Sequence, residues 1–331
     1  MPRPICWTIL GAGGLILAIL LVCGLVAAGG APDVPMAGNR EPLIAQASGV
    51  DKEPFRFAVL GDTQKGLANF DRLVAKVAEE RPAFFVHTGD LVSHNDVGHY
   101  TLAKRHLAKA SLIVPLLITA GNHDIKGGTE RFTGHFGPVE WNFTRQQAAF
   151  LSVDDAMGQA PGPELEATLK RYENKRIFIF MHVPPFDARQ GHWAPKPEFA
   201  DFLRMVRQYR VAYVFCGHAH GYLRHDIDGT VFIANGVGGD SDSWQYDPKV
   251  MATVVEVMPE FSRDHPVEVA PVISLWSEFE HFAVGHVAEA YRGWALVCWP
   301  LTAALAGLVA WAGRGLRKAR KPEPEAKTTT L

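Results

Sequence analysis

Between residues 55 and 124, short apolar runs alternate with longer segments in which apolar residues recur every three or four positions. The short runs "FRFAVLG", "AFFVHTGD" and "PLLITAGNHD" have the length and composition of buried strands. The longer segments, Leu67 to Glu80 and "VGHYTLAKRHLAKA", have the helical period. This order of strand, helix, strand, helix and strand predicts parallel strands joined by right-handed crossovers.

The same alternation continues to residue 257. Further strands are predicted for "QQAAFLSVDD", "RIFIFMHVPP", "VAYVFCGHAHGY", Thr230 to Ala234 and Val250 to Val257. Helices are predicted for "PELEATLKRY" and "PEFADFLRMVRQY". The region is therefore expected to be an α/β unit, and ligand sites in such sheets lie at the carboxyl ends of the strands.

The apolar run near the N-terminus has a different character, because residues 4–32 contain no charged side chain. It is long enough to cross a bilayer, which needs about 20 apolar residues. The apolar core of a secretory signal is shorter, roughly 7 to 15 residues. We interpret the run as an uncleaved membrane anchor, with a cleaved signal sequence as the alternative.

A second run without charges covers residues 293–313 and is followed at once by basic residues. These are Arg314, Arg317, Lys318, Arg320 and Lys321. Basic residues beside a span stay in the cytoplasm. Both termini are therefore predicted to be cytoplasmic and residues 30–292 extracytoplasmic, in a bacterial inner or plasma membrane. A buried core helix is the alternative for this run.

Composition narrows the possible partners. The 331 residues are 47% hydrophobic and 21% charged, with a formal net charge of −2. Nucleic acid is not an expected partner, since proteins that bind it usually present a strongly basic face. Three of the four cysteines lie in the apolar runs, so Cys216 is alone in the middle and cannot form a disulfide within that region. Cysteine usage is compatible with either compartment.

Polar residues cluster where the predicted strands end. The side chains are Asp62, Asp90, Asn122, His182, His218 and His220. One Asp or His at a strand end is usually a turn former, but six such residues at one edge suggest a shared role. Carboxylate, amide and imidazole groups together suit first-row divalent or trivalent metals. If Asp90 bridges, the six residues make two metal sites, and metals about 4 Å apart are known for phosphoryl hydrolysis.

The motifs that carry these residues resemble the calcineurin-like metallophosphoesterase family. They are "GDTQ" at 61, "GDLV" at 89, "GNHD" at 121, "MHVPP" at 181 and "GHAH" at 217, in the family's order. The resemblance extends from about Phe55 to Val257. It implies a four-layer α/β/β/α sandwich of two mixed sheets flanked by helices, a dinuclear metal centre and hydrolysis of phosphoric esters.

The resemblance also implies individual roles. Asp62 and His220 would hold one metal, Asp90 would bridge, and Asn122, His182 and His218 would hold the other. His123 corresponds to the family's general acid, and Asp124 is expected to orient it. A metal-bridging hydroxide would attack phosphorus while the His123 imidazolium protonates the departing alkoxide. The metals would be two divalent ions or Fe(III) with a divalent ion, drawn from manganese, iron and zinc.

Gln64 departs from the family pattern, which usually has histidine two residues after the first aspartate. Glutamine keeps an oxygen that can coordinate, although it is a weaker ligand than imidazole. Three outcomes are open: Gln64 ligates directly, it holds a metal-bound water, or the first site is loosened. Ser93 is a milder departure, at a position where many members carry an acidic residue. The adjoining His94 either contacts phosphate or is an exposed loop residue.

Taken together, these features predict a six-part organisation. Residues 1–31 form the N-terminal anchor or signal, 32–54 a linker, 55–260 the catalytic domain, 261–292 a juxtamembrane segment, 293–313 the second span and 314–331 a basic cytoplasmic tail. The predicted function is hydrolysis of a phosphomonoester or phosphodiester at a lipid bilayer. The alternative is a membrane-anchored binding or scaffold protein with a degenerate metal site.

The substrate itself is poorly defined by the sequence. The segments "RFTGHFGPVEWNFT" and "FDARQGHWAPKPEF" are expected to form the rims of the site. Side chains that could contact the group attached to phosphate are His135, Trp141, Arg189, His192 and Trp193. Aromatic residues in such loops more often pack locally.

Overall fold

The apolar runs become strands in the computed structural model of the protein, which describes residues 3–49, 54–110, 112–187, 194–236, 238–239 and 249–318. In chain order the strands are β1 Phe55–Leu60, β2 Phe85–His87, β3 Leu116–Ile118, β4 Asn142–Arg145, β5 Ala148–Ser152, β6 Arg176–Phe180, β7 Tyr213–Cys216, β8 Tyr222–Ile227, β9 Thr230–Asn235, β10 Val250–Val257 and β11 Ser262–Val269. The chain divides into one unit of Ala31–His281, which holds all these strands, and another that combines Met1–Gly30 with Phe282–Leu331.

The strands of the first unit form two mixed sheets. The first sheet has the order β11-β10-β1-β2-β3, in which β1, β2 and β3 are parallel and β10 and β11 antiparallel. The second has the order β4-β5-β6-β7-β9-β8, with a parallel centre and an antiparallel strand at each edge. The predicted crossovers therefore bring the carboxyl ends of β1, β2 and β3 to one edge, and those of β6 and β7 to one edge of the second sheet.

Four helices lie where the sequence periodicity predicts them, namely Leu67–Ala78, Val97–Lys109, Glu164–Arg171 and Ala200–Gln208, the last preceded by a 3₁₀ turn at Pro197–Phe199. The described part of this unit has four further helices that were not predicted, Glu41–Ser48, Asn122–Ile125, Glu130–Phe136 and Leu275–Glu280. The helix Val97–Lys109 is capped at its N-terminus by Asp96, whose side chain accepts a hydrogen bond from the His99 amide. The helix Leu67–Ala78 ends two residues before Glu80, the predicted end. Arg81 has a left-handed φ of 52° and Pro82 lacks an N–H to continue the helix.

A core rich in phenylalanine joins the inner faces of the two sheets. Phe57 of β1 stacks on Phe84 at 5.3 Å and meets Phe150 of β5 edge to face at 5.3 Å. Both arrangements are favourable for aromatic rings. All three side chains are fully buried. The packing of these rings holds one sheet against the other.

The outer face of each sheet is covered by helices. Phe70 and Leu107, from the helices Leu67–Ala78 and Val97–Lys109, share one core cluster with residues of the first sheet. Leu169 and Phe202, from Glu164–Arg171 and Ala200–Gln208, do the same for the second sheet. The layers are thus helix, sheet, sheet and helix, and the predicted four-layer α/β/β/α sandwich is confirmed.

Some elements lie outside the strands and helices that periodicity predicts. The helix Glu41–Ser48 lies in the predicted linker, and β11 lies in the segment expected to be juxtamembrane. β11 pairs with β10 along its whole length. Its sequence "SRDHPVEV" hides this role, because a polar edge strand lacks the apolar run of a buried strand and can accommodate Pro266. The sheet therefore continues beyond residue 260.

The unit that contains both chain ends consists of helices in its described part. Arg3–Thr8 and Gly14–Ala28 are joined by a π-helical turn at Ile9–Gly13, and Ala288–Gly293 precedes Ala295–Lys318. Two stretches, Pro4–Ala28 and Ala295–Arg314, are long and apolar enough to cross a membrane. Only 11% and 6% of their most apolar windows are buried, which argues against core helices.

Candidate metal centre

Polar side chains from both sheets meet beyond the carboxyl ends of β1, β2, β3, β6 and β7. Ligand atoms of Asp62, Asp90 and His220 lie within 4.8 Å of one another. Those of Asp90, His182 and His218 do so as well. The two groups share Asp90, the residue for which bridging is predicted.

We call Asp62, Gln64 and His220 the first half-site. His220 Nε2 lies 3.4 Å from Asp62 Oδ1 and 3.2 Å from Gln64 Nε2. The Gln64 amide also donates to Asp90 Oδ2 at 3.0 Å. Amide oxygen and nitrogen exchange places by a flip of the group. A flip would turn Gln64 Oε1 toward Asp90 and His220, so this glutamine has the reach of a ligand.

We call Asn122, His182 and His218 the second half-site. Asn122 Oδ1 lies 2.9 Å from His182 Nε2 and 3.0 Å from His218 Nδ1, and the two ring nitrogens are 3.3 Å apart. His182 is fully buried, and its Nδ1 donates to the Thr88 carbonyl at 2.9 Å. This bond leaves Nε2 as the lone-pair side of the neutral ring.

The second half-site gathers potential ligand atoms at one point. His182 Nε2 lies 2.9 Å from Asn122 Oδ1 and 3.4 Å from Asp90 Oδ1. A metal ion beside these atoms would accept electron pairs from the imidazole, the amide oxygen and the carboxylate together. With carboxylates, an amide oxygen and imidazoles present, the residues fit a pair of first-row metal ions.

The backbone at the site adopts an unusual conformation. Five predicted ligands have left-handed φ values between 41° and 64°. They are Asp62, Gln64, Asp90, His218 and His220. This region costs roughly 1–3 kcal/mol for a residue other than glycine and is found where surrounding contacts impose it, often at functional sites. The tight turns after β1, β2 and β7 thus aim these side chains at one point.

Two glycines allow the loops to approach each other. Gly89 has a φ of 96°, and a Cβ there would lie 2.6 Å from His182 Nδ1. At Gly217 a Cβ would lie 2.5 Å from Asp62 Oδ2. Any larger residue would displace a predicted ligand, so both motif glycines are required by space, and Gly89 by its left-handed conformation as well.

His123 lies beside Asp90 with its side chain 40% exposed. Its amide donates to Asp90 Oδ1 at 2.9 Å, and its Nε2 is 3.9 Å from Asp90 Oδ2. The ring Nδ1 lies 2.6 Å from the Ser93 carbonyl oxygen, to which it donates. This bond leaves Nε2 for a ligand, the position that a general acid needs.

Asp124 was expected to orient the His123 ring, but its carboxylate bonds to backbone amides instead. The Asp124 carboxylate accepts from the amides of Asp90 and Gly121 at 2.8 Å and of Val92 at 3.0 Å. These bonds hold the turns that carry Asp90 and Asn122. Asp124 is therefore a positioning residue for the loops, because the carbonyl that contacts His123 belongs to Ser93.

Asp155 is a positioning residue that sequence reasoning missed. It is fully buried and accepts from the amides of His182 and Val183 at 2.7 and 2.8 Å. It thereby fixes the turn after β6 from the neighbouring end of β5. The carboxylate pair in "SVDD" at the end of a predicted strand is the signal that could have identified it.

Burial governs the protonation of several groups here. It lowers the pKa of His218 to about 4, with a smaller effect from His182. The neutral ring that results is the form that binds metal. Burial also lowers the pKa of His87 to about 3, where His87 Nε2 lies 2.9 Å from Thr63 Oγ1. Burial raises the pKa of Asp155 to about 7, and burial with the charge of Asp90 raises that of Asp124.

The residues expected to line the rims have different outcomes. Trp141 is wrong as a substrate contact, because it is buried between the sheets and donates to the Ile118 carbonyl at 3.2 Å. His135 stacks on Tyr100 at 4.9 Å. Arg189, His192 and Trp193 lie outside the described residues. His94 is exposed, with its ring 6.5 Å from that of His123.

An α/β sandwich whose two Asp/His groups share Asp90 has the residues to hold two metal ions side by side. The family model of the calcineurin-like phosphoesterases matches residues 55–222, half of the chain. The chain belongs to this family of phosphoesterases. A comparison with curated proteins gives no match.

Three solved structures illustrate the similarity of fold. A dimetal phosphatase from Danio rerio is 14% identical, with 66% of this chain and 100% of that chain covered and a TM-score of 0.49. GAP50, the anchor in the inner membrane complex of Plasmodium, is 14% identical, with 71% and 96% covered and a TM-score of 0.48. Purple acid phosphatase PPD1 from yellow lupin (Lupinus luteus) is 15% identical, with 62% and 50% covered and a TM-score of 0.47. The match thus spans half the length of the lupin chain.

Proposed function

We propose that the protein is a membrane-anchored, metal-dependent phosphoesterase that hydrolyses a phosphomonoester or phosphodiester. The observation that carries this proposal is the pair of half-sites around Asp90, with the His123 ring beside them. A degenerate scaffold protein is less well supported. The six predicted Asp, Asn and His ligands lie in two groups that share Asp90, and among the predicted ligand positions Gln64 alone differs from the family pattern.

The residues divide into two sets of ligands. Asp62, Gln64 and His220 would hold one metal, and Asn122, His182 and His218 the other, with Asp90 common to both. When bound, two metal ions supply Lewis-acid chemistry, which activates a water nucleophile at neutral pH and stabilises negative charge on phosphoryl oxygens. The bonds from His182 to Thr88 and Asp155 hold this member of the second set in place.

His123 is proposed as the general acid. Its Nδ1 donates to the Ser93 carbonyl, so a proton carried by Nε2 can be given to the leaving oxygen. Asp90 accepts from the His123 amide, which ties the acid to the centre of the site. A group of this kind contributes roughly 10²- to 10⁴-fold to the rate.

The location is proposed from the two apolar helices. Arg314 and the basic residues after it favour a cytoplasmic C-terminus, so residues 30–292 would lie outside. Protease added from the outer side should cleave the catalytic unit and leave the tail from Arg314 protected. Labelling of the tail in intact cells would contradict this topology.

The activity is tested with a panel of phosphomonoesters, phosphodiesters and pyrophosphates, each with added manganese, zinc or iron. Purification without chelator and elemental analysis should find up to two metals per chain. We expect hydrolysis of at least one ester class and its loss in Asp90→Asn. Absence of both metal and hydrolysis in the wild type would overturn the proposal and favour the scaffold role.

A further inference from the structure

A pocket open to solvent is built on the two segments that also hold the candidate acid His123. It is lined by Asn95, Lys126, Gly127, Gly128, Glu130 and Arg131 and encloses ≈ 470 Å³. We call it the basic pocket. Its residues lie in the loop after β2 and in the turn and helix after β3, the same two segments that supply Asp90 and His123.

The pocket and the acid share their walls. Ser93 contacts the His123 ring through its carbonyl, and two residues later Asn95 Nδ2 donates to the carbonyls of Lys126 and Gly128 at 3.2 and 2.9 Å. One loop therefore holds both the ring and the rim of the pocket.

Asn95 holds the guanidinium of Arg131 on one side. Its NH1 donates to Asn95 O at 2.9 Å and to Asn95 Oδ1 at 3.2 Å, which fixes one side of the guanidinium. Within the described residues, its Nε and NH2 make no hydrogen bond and the group forms no ion pair. A guanidinium held on one side can offer its remaining donors to a carboxylate or phosphate with little further loss of entropy.

The charge of the pocket is positive. Lys126 is exposed and, in the described part of the chain, has no acidic partner. Glu130 is the one carboxylate in the lining, so the two cations leave a net charge of +1. The field extends beyond the pocket, because Arg131 contributes with Lys104 and Arg40, after burial, to the lowered pKa of His135.

Exposed cations are often only solvated, but three features together indicate binding here. The surface forms a pocket, Asn95 orders one cation, and the loop that forms the pocket rim also holds the ring of the acid that would act on the leaving group. We infer that the enzyme prefers phosphate esters whose leaving group carries a second anionic substituent, held by Lys126 and Arg131. This inference rests on the proposed phosphoesterase function and specifies its substrate class.

The test compares 4-carboxyphenyl phosphate with 4-carbamoylphenyl phosphate, which are close in shape but differ in one charge. The measured quantity is the ratio of kcat/KM for the two substrates, in the wild type, Lys126→Met, Arg131→Met and the double variant. Lys170→Met, an exposed lysine on the helix Glu164–Arg171, is the control. Dividing the wild-type ratio by a variant's ratio cancels the intrinsic reactivity of the leaving groups and any difference in folded fraction.

We expect kcat/KM for the carboxyphenyl ester divided by kcat/KM for the carbamoylphenyl ester to fall about 3- to 10-fold in the double variant, mainly through KM. The same ratio should stay constant in Lys170→Met. The wild-type preference should also weaken as salt is raised. Hydrolysis of both esters with a ratio that does not change in any variant would overturn the basic pocket alone. Hydrolysis of neither ester by the metal-loaded wild type would overturn the phosphoesterase proposal, and this inference with it.

Discussion

The two half-sites differ in how firmly the fold holds them. In the second, His182 is fully buried, bonded to Thr88 through its ring and to Asp155 through its backbone. In the first, Gln64 replaces the usual imidazole and its amide turns a nitrogen toward Asp90 and His220. The second half-site is therefore held by more bonds from the surrounding fold, whereas the first has a neutral amide, a weaker ligand, where the family usually has an imidazole. We expect unequal metal affinities, with the weaker site on the Gln64 side.

The largest effect is expected from Asp90→Asn, because this residue belongs to both half-sites. Loss of a group that only orients ligands costs about 10- to 100-fold in metal affinity or activity, and loss of a shared ligand should exceed that. The loss of metal is measured by elemental analysis, and the loss of activity by hydrolysis of an aryl phosphate. Asp228→Asn, in an exposed turn, is the matched control. Full metal content together with full activity in Asp90→Asn would exclude a shared ligand.

His123→Ala should separate chemistry from metal binding in both half-sites. Turnover is expected to fall roughly 10²- to 10⁴-fold while metal content stays at the wild-type value, since the ring is an acid and not a ligand. The loss should shrink for esters with good leaving groups, which need no proton. Equal losses on good and poor leaving groups would refute the acid role.

Asp155→Ala should weaken the second half-site selectively. Removing the carboxylate leaves the buried amides of His182 and Val183 without their acceptor, and we expect about 10- to 100-fold weaker binding of one metal. Competition with a chelator, followed by metal stoichiometry, measures this change. Asp154→Ala, one residue away and not bonded to His182, should bind both metals normally. If the two variants behave alike, the bonds from Asp155 do not support the site.

Gln64 variants should give the smallest change, confined to the first half-site. With Gln64 as an oxygen ligand, this half has one imidazole and a harder, more oxygen-rich character that favours manganese, iron or magnesium relative to a histidine-bearing site. Gln64→His should tighten one metal and shift activation toward zinc, while Gln64→Ala should weaken the same metal. Metal stoichiometry and activation by manganese against zinc distinguish them. Identical behaviour of all three proteins would mean that Gln64 is not a ligand.

Much of the fold was accessible from local pattern, because strand and helix periods extend over a few neighbouring residues. β10 was predicted to the residue, and the helix Val97–Lys109 to within one. Polar edge strands were missed for the same reason: "SRDHPVEV" has no apolar run, and only pairing with β10 makes it a strand.

For the site, the sequence alone supplied the types of ligand and their order, since motifs of Asp, Asn and His follow successive apolar strands. The tertiary structure decided what surrounds them: Ser93 rather than Asp124 contacts the His123 ring, Asp155 fixes His182, and Trp141 is core. It also decided the left-handed backbone at five ligands, which local preference opposes. Such a conformation is stable because the core around Phe57 packs the two sheets together and brings loops from distant parts of the chain into contact. No short window of sequence contains those contacts.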